Sequence, residues 1–290
     1  MIIRWNPNPI ALNLELINIH IYWYGVLFAI GFILAFSISK YLCKRANLPI
    51  EKLDLLLMYV FVGTIIGARL FHVCFYQPQY YFDNPIEIFC IWKGGLASHG
   101  GTIGAILALF YFCRRNPEFN LIWMLDHLSI PTGLVASLIR IGNFMNSEIV
   151  GKPTSGDYGI IFERINDKVP LHPVQLYESI SYFVIFLILS ATYFCGKDKR
   201  KGLLFGFFVT SVFSVRLVLE LFKSNQAEYE IAMNNWINQY INLPFEVSVG
   251  MVLSIPFIIV GLIFVILSFK KTNNPDHILV PKHSNFPRLL

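Results

Sequence analysis

"VSVGMVLSIPFIIVGLIFVILSF", Val247 to Phe269, runs for 23 residues without a charged side chain. An α-helix rises 1.5 Å per residue, so about 20 apolar residues cross the hydrocarbon core of a bilayer. The stretch therefore reads as a transmembrane helix. Six more apolar runs lie upstream: Tyr22–Ser39, Leu55–Cys74, Leu96–Cys113, Ile122–Gly142, Leu176–Cys195 and Leu203–Phe222. Hydrophobic residues make up 55% of the chain and charged ones 14%, against about 25% charged in soluble domains. These observations exclude an ordinary soluble globular protein. The expected fold is all-α: a polytopic integral membrane protein with seven transmembrane helices, forming a single membrane-embedded domain over residues 1–290.

Charge distribution predicts the orientation. Lysines and arginines accumulate on the cytoplasmic side of membrane proteins. The loops after the first, third and fifth spans, together with the tail, carry fourteen of them, and the opposite side carries six. The N-terminus is thus expected outside and the C-terminus in the cytoplasm, with residues 272–290 a solvated cytoplasmic tail. Residues Met1 to His20 lack a basic flank, an apolar core and a small-residue cleavage site, so no cleavable signal peptide is expected. The amphipathic stretch Ile10 to Ile21 is expected to lie along the outer interface, beside the aromatic belt of Tyr22, Trp23 and Tyr24. Cys74 and Cys90 lie toward the outer face, where the simpler reading is two small buried hydrophobes rather than a disulfide. No cysteine or histidine spacing suggests a metal site.

Three basic residues fall inside apolar spans: Arg69, Arg140 and Arg216. An ionisable group in a bilayer costs about 2.5–3.5 kcal/mol on insertion scales and commonly marks a functional cavity. Arg216 is residue 14 of its 20-residue span, and Glu220 follows one helical turn later, in reach for pairing. His99 opens the third span within "GGLASHGGTIG", and Glu178 opens the fifth after "HPVQLYES". Each has an ordinary structural reading. Arg216 with Glu220 suits an ion pair between helices, and Arg69 with His72 suits a structural role. A lone His99 suits a backbone hydrogen bond, while His172, Asp126 and His127 suit helix starts. It is the gathering of Arg216, Glu220, Arg140, His99 and Glu178 toward the outer half that favours function.

The stretch "RIGNFMNSEIVG", Arg140 to Gly151, closes the fourth span. Asn143 and Asn146 offer amides at three-residue spacing, and Gly142 and Gly151 permit close or left-handed backbone. A guanidinium holds phosphate oxygens in a two-pronged geometry. Arg140 and Arg216 together suit a phospholipid headgroup, held without a metal. On the residues alone, the reading is a lipid-phosphate site facing outward, with enzyme and transporter both open.

The same stretch resembles the pattern G-R-x-G-N-F-x-N-x-E-x-x-G of the bacterial prolipoprotein diacylglyceryl transferase family. Four further motifs agree in order: "WYG" at Trp23–Gly25, "SHGG" at Ser98–Gly101, "HPVQLYE" at His172–Glu178 and "RLVLELF" at Arg216–Phe222. The likeness runs from about residue 20 to residue 270. Three positions depart from the pattern. Ile139 stands where glycine is usual, Lys223 where arginine is common, and Met251 where glutamine is frequent.

The resemblance implies a seven-helix fold in the bacterial cytoplasmic (inner) membrane, with its active site toward the outer face. It implies transfer of the diacylglyceryl group of phosphatidylglycerol to the lipobox cysteine of a preprolipoprotein signal peptide. The products are a thioether and glycerol 1-phosphate, and no cofactor, metal or nucleic acid is implied. Carried over residue by residue, His99 is the candidate base, and Arg140 and Arg216 bind and stabilise the phosphate. Tyr24, Asn143, Asn146, Glu148 and Gly151 shape the headgroup pocket, and Glu220 orients Arg216.

Overall fold

A computed structural model describes residues 1–14, 19–76, 78–91, 94–165, 168–196, 200–224, 228–240 and 246–270. The expected tail, 272–290, lies outside them. The protein is mostly helical. Six of its helical stretches are long and apolar enough to cross a membrane: Trp23–Arg45, Ile50–Phe75, Leu121–Asn146, Val174–Phe194, Leu203–Phe222 and Val249–Phe269. The run expected as the third span does form a helix, Ser98–Arg115. It is not among those six. Its 18 residues open on Ser-His-Gly-Gly and close on Arg114 and Arg115, which leaves only a short apolar middle.

The helices in chain order are α1 (Trp23–Arg45), α2 (Leu53–Phe75), α3 (Pro78–Asp83), α4 (Ser98–Arg115) and α5 (Leu121–Asn146). They continue as α6 (Val174–Phe194), α7 (Leu203–Leu219), α8 (Glu228–Tyr240) and α9 (Val249–Phe269). Four short strands join them: β1 (Ile2–Trp5), β2 (Ile10–Leu14), β3 (Ile19–Tyr22) and β4 (Gly159–Phe162). The fold is thus predominantly α, as expected, with short strand pairs at its periphery. In the amphipathic stretch after Ile10, β2 runs antiparallel to β3. Its alternating Ile, Leu and Tyr residues have the period of a strand.

The described residues divide into two compact units, Lys40–Met124 and a larger one formed by Met1–Ser39 with residues 125–270. In the smaller unit α2 packs on α4 through glycines spaced four apart on both helices, Gly63 and Gly67 against Gly100 and Gly104. A Cβ at any of them would collide with the facing helix. Small residues at this spacing let helix backbones meet in a membrane, where lipid supplies no hydrophobic drive for association. Beyond α2, buried Arg69 gives its N–H groups to the carbonyls of Glu87, Ile88, Cys90, Gly94 and Gly95, and the Tyr81 ring covers it at 5.0 Å. Arg69 thus ties down the loop that leads into α4. Cys74 and Cys90 are unpaired, and Cys74 is exposed rather than buried.

In the larger unit, β1 runs parallel to β4, with Ile2 opposite Gly159 and Trp5 opposite Phe162. This pair seats a small core of Phe144, Ile160, Phe162 and Leu171, flanked by Trp5, Val150 and Leu176. The Trp5 ring stacks on Phe144 at 4.3 Å, and its indole N–H donates to the Phe144 carbonyl at 3.1 Å. The last turn of α5 is therefore fixed by residues at the start of the chain. At the other end of α5, buried Asp126 accepts from the backbone N–H groups of Gly202 at 2.6 Å and Phe205 at 2.8 Å. That carboxylate caps α7, satisfying donors that a helix start leaves open.

Candidate functional site

The site is built on facing turns of α5 and α6. The buried residues of α6 include Gln175, Glu178, Ser179, Tyr182, Ile185 and Leu189. Their spacing of three and four makes one helical face, whose first turns are polar. Ser179 donates to the Ser137 carbonyl at 3.0 Å, and the two hydroxyl oxygens lie 3.0 Å apart. This contact locks the register of α5 and α6 one turn below the charged residues.

Above it, Arg140 meets Glu178, Nε to Oε2, at 2.7 Å. Both side chains are largely buried, at 16% and 6% exposure. Arg140 Nη1 also donates to Asn143 Oδ1 at 3.2 Å. Asn143 in turn donates to Glu148 Oε2 at 3.2 Å, and Asn146 donates to Glu148 Oε1 at 2.9 Å. The Gln175 amide donates to the Glu148 carbonyl at 2.5 Å. One network thus joins Arg140, Asn143, Asn146 and Glu148, the four polar residues expected from "RIGNFMNSEIVG". Three polar atoms around it, Asn146 Oδ1, Ser147 Oγ and Gln175 Oε1, are buried without a protein partner. Buried polar atoms nearly always find one, so these are available to a bound polar group or to water.

Of the two expectations for the glycines, close approach and left-handed backbone, the structure shows the first. The left-handed positions fall on Ser147 and Ile149, at φ 56° and 58°, not on Gly142 or Gly151. Gly142 instead admits Tyr24, whose ring and Cα would sit 2.8 Å and 3.2 Å from any Cβ there. Tyr24 is in this way held beside the start of the network. Gly151 lies where three segments meet. It donates to the His172 carbonyl at 3.0 Å, and its neighbour Lys152 donates to the Phe222 carbonyl at 2.7 Å. Ser224 donates back to the Val150 carbonyl at 3.2 Å. A Cβ on Gly151 would lie 2.5 Å from the His172 carbonyl oxygen and 2.7 Å from that of Phe222. These are backbone atoms that cannot swing aside. Gly151→Ala is therefore expected to lower the thermal midpoint in detergent, by the equivalent of about 1–3 kcal/mol. An unchanged midpoint would show that the three segments yield.

The pairing of 150–152 with 222–224 brings the end of α7 to the end of α5. Arg216 lies about two turns before that junction. It forms no ion pair among the described residues. Tyr182, buried on the same face of α6, donates weakly to Glu178 Oε1 at 3.4 Å.

Residues 9–267 match the family described as prolipoprotein diacylglyceryl transferase. The chain belongs to that family. It is 48% identical to the phosphatidylglycerol–prolipoprotein diacylglyceryl transferase of Tolumonas auensis over 92% of this chain and 98% of the relative. The transferase of the same name in Chloroherpeton thalassium is 43% identical over 93% and 95% of the two chains. That of Porphyromonas gingivalis is 39% identical over 92% and 95%.

Among the motif residues of this prolipoprotein diacylglyceryl transferase family member, two depart from expectation or from view. Glu220 does not reach Arg216; its Oε2 lies 3.8 Å from Lys223 Nζ. The carboxylate also rests on Gly250, where a Cβ would lie 2.5 Å from Oε1. Gly250 belongs to the first turn of α9, whose positive end attracts an anion. Lys223, in place of the usual arginine, is thus spent on Glu220. His99 lies in the first turn of α4, but its side chain falls outside the described part of the structure. Among the described residues, no group of three or more His, Cys, Asp or Glu side chains is placed for a metal.

Sequence reasoning singled out Glu178 as a charge in a span but gave it no role. It passed over Gln175 and Tyr182. The signal was present: Gln175, Glu178 and Tyr182 follow at helical spacing in an otherwise apolar run. His172, next to this face, is ringed by Tyr158 and Phe222 at 5.5 and 5.0 Å. Burial holds its imidazole below the ordinary histidine value, which favours the neutral ring.

Proposed function

We propose that this chain transfers the diacylglyceryl group of phosphatidylglycerol to the lipobox cysteine of a preprolipoprotein, releasing glycerol 1-phosphate. The observation that carries the reading is the network that joins Arg140, Asn143, Asn146 and Glu148 beside the buried Glu178, in a member of a family whose relatives are named for this activity. In the transfer, a carbon–sulfur bond forms at the glyceryl carbon as its bond to the phosphate oxygen breaks. The electron pair leaves on that oxygen, and the phosphate gains a negative charge. Fixed cations in a water-poor site stabilise such a charge without reorganising. The thiol must give up its proton, and with a free value near 8.5 it gains from a base or a positive field.

In this reading Arg140 and Arg216 hold the phosphate, and Tyr24, Asn143, Asn146, Glu148 and Gly151 shape the space for the headgroup. Glu220 acts through Lys223 and α9, not through Arg216, and His99 takes the thiol proton. The placement that suits the reading has α4 as a seventh crossing, the N-terminus outside and the C-terminus in the cytoplasm. The protein then lies in the bacterial inner membrane with its site toward the outer face, where signal peptides emerge. The fourteen-to-six division of basic residues supports this orientation.

The test is direct. Purified protein with phosphatidylglycerol vesicles and a lipobox peptide is expected to yield a lipidated cysteine and an equal amount of glycerol phosphate. Formation of neither product would reject the reading, and it is the outcome that a lipid or anion transporter predicts. For the base, His99→Gln is expected to lose about 10²–10⁴-fold in rate, as removal of a general base does. Raising the pH should recover part of that loss by ionising the thiol directly. A loss of the same size at every pH would assign His99 to positioning.

A further inference from the structure

We infer that Glu178 is a positioning residue of the transfer reaction, fixing Arg140 and moderating its charge. The inference rests on the reading of Arg140 as a phosphate-binding residue. A guanidinium has five N–H donors in a rigid plane. Here the group is ion-paired with Glu178, Nε to Oε2, at 2.7 Å, and Nη1 donates to Asn143 Oδ1 at 3.2 Å. Among the described residues it forms no second ion pair. Arg140 is therefore anchored by two side chains, with N–H donors left over for a phosphate.

Glu178 is built for this task. It is 6% exposed, too buried to be a surface partner that salt would screen. Its second oxygen takes the Tyr182 hydroxyl at 3.4 Å, and the adjacent Ser179 is locked to Ser137. The carboxylate accordingly cannot follow Arg140 if the arginine moves. Glu178 also sets a difference between the two arginines. Arg140 carries a compensating charge at contact distance, whereas Arg216 has none among the described residues. A site with two uncompensated guanidinium groups would hold a dianionic product tightly and release it slowly. With Glu178 present, Arg140 supplies geometry and Arg216 supplies most of the field.

The test uses the full-length protein with phosphatidylglycerol and a lipobox peptide, with sn-glycerol 1-phosphate as inhibitor. Glu178→Gln keeps the size and one hydrogen bond while removing the charge. Its kcat is expected to fall about ten- to a hundred-fold, the scale of a misplaced catalytic group. At the same time glycerol 1-phosphate should inhibit at a several-fold lower concentration, because the site has become more positive. A residue that merely held the fold would lower activity without tightening anion binding. Glu178→Asp, which keeps the charge on a shorter arm, should recover part of kcat and the wild-type inhibition. An unchanged kcat in Glu178→Gln, or a lower kcat with inhibition weakened or unmoved, would overturn the inference. If the glutamine variant fails to insert, the aspartate variant decides. A reduced kcat at unchanged thermal midpoint supports the inference, and full activity overturns it. Lack of inhibition of the wild type by glycerol 1-phosphate, with Arg140→Ala still active, would instead reject the underlying phosphate reading.

Discussion

Arg140→Ala is expected to lose at least about 10²–10³-fold in transfer, the scale of removing one donor from a developing oxyanion. The structure adds a second consequence. Without Arg140, Glu178 becomes a buried carboxylate with no cation beside it. Breaking a buried pair on one side costs about 3–5 kcal/mol of stability. The single variant should therefore insert but melt earlier. Adding Glu178→Gln to it removes the stranded charge and should return most of the midpoint, while activity stays lost. Transfer and thermal midpoint measured on both variants separate the two roles. Near-normal turnover by Arg140→Ala would reject the assignment of Arg140 to the phosphate.

Arg216→Lys should lose most activity, by about tenfold or more, for a different reason. Lysine keeps the charge but replaces a planar fork with a point donor. Arg216 forms no ion pair among the described residues, so the exchange strands no carboxylate and the midpoint should hardly move. The loss would then report on the shape of the cation alone. Full activity in Arg216→Lys would show that its field is sufficient, and a two-pronged contact there would be ruled out.

The membrane-crossing elements were largely legible in the sequence because each needs about 20 apolar residues, a local signal. The run read as Ile122–Gly142 is helix Leu121–Asn146, and Leu176–Cys195 is Val174–Phe194. The motifs also located the network from Arg140 to Glu148. What escaped was set by contacts between distant segments. The parallel pairing of Ile2–Trp5 with Gly159–Phe162 spans more than half the chain, and four-residue strands carry little periodicity. The α4 run was read as a seventh span from its apolar middle, although its glycine and arginine ends shorten that middle.

Within the site, local spacing misled at Glu220. A carboxylate four residues after Arg216 has the right phase for a pair, yet it lies with Lys223 and against Gly250. Nothing in the neighbouring sequence reveals that a glycine 30 residues later opens the first turn of α9 to it. Glu178 posed the opposite problem. It was visible as a charge in a span, but its partner is set by the register of α5 and α6, which Ser137 and Ser179 fix. Gly142 and Gly151 were read as permitting close or left-handed backbone; both serve close approach, and the left-handed positions of the stretch fall on Ser147 and Ile149.

The central claim is that Arg140 and Arg216 hold a single phosphate. It is tested most directly by an experimental structure with phosphatidylglycerol bound. The account predicts nitrogen atoms of both side chains about 3 Å from oxygens of the same phosphate, with Glu178 still on Arg140 Nε. A headgroup touching only one of them, or the two arginines on separate lipids, would contradict it.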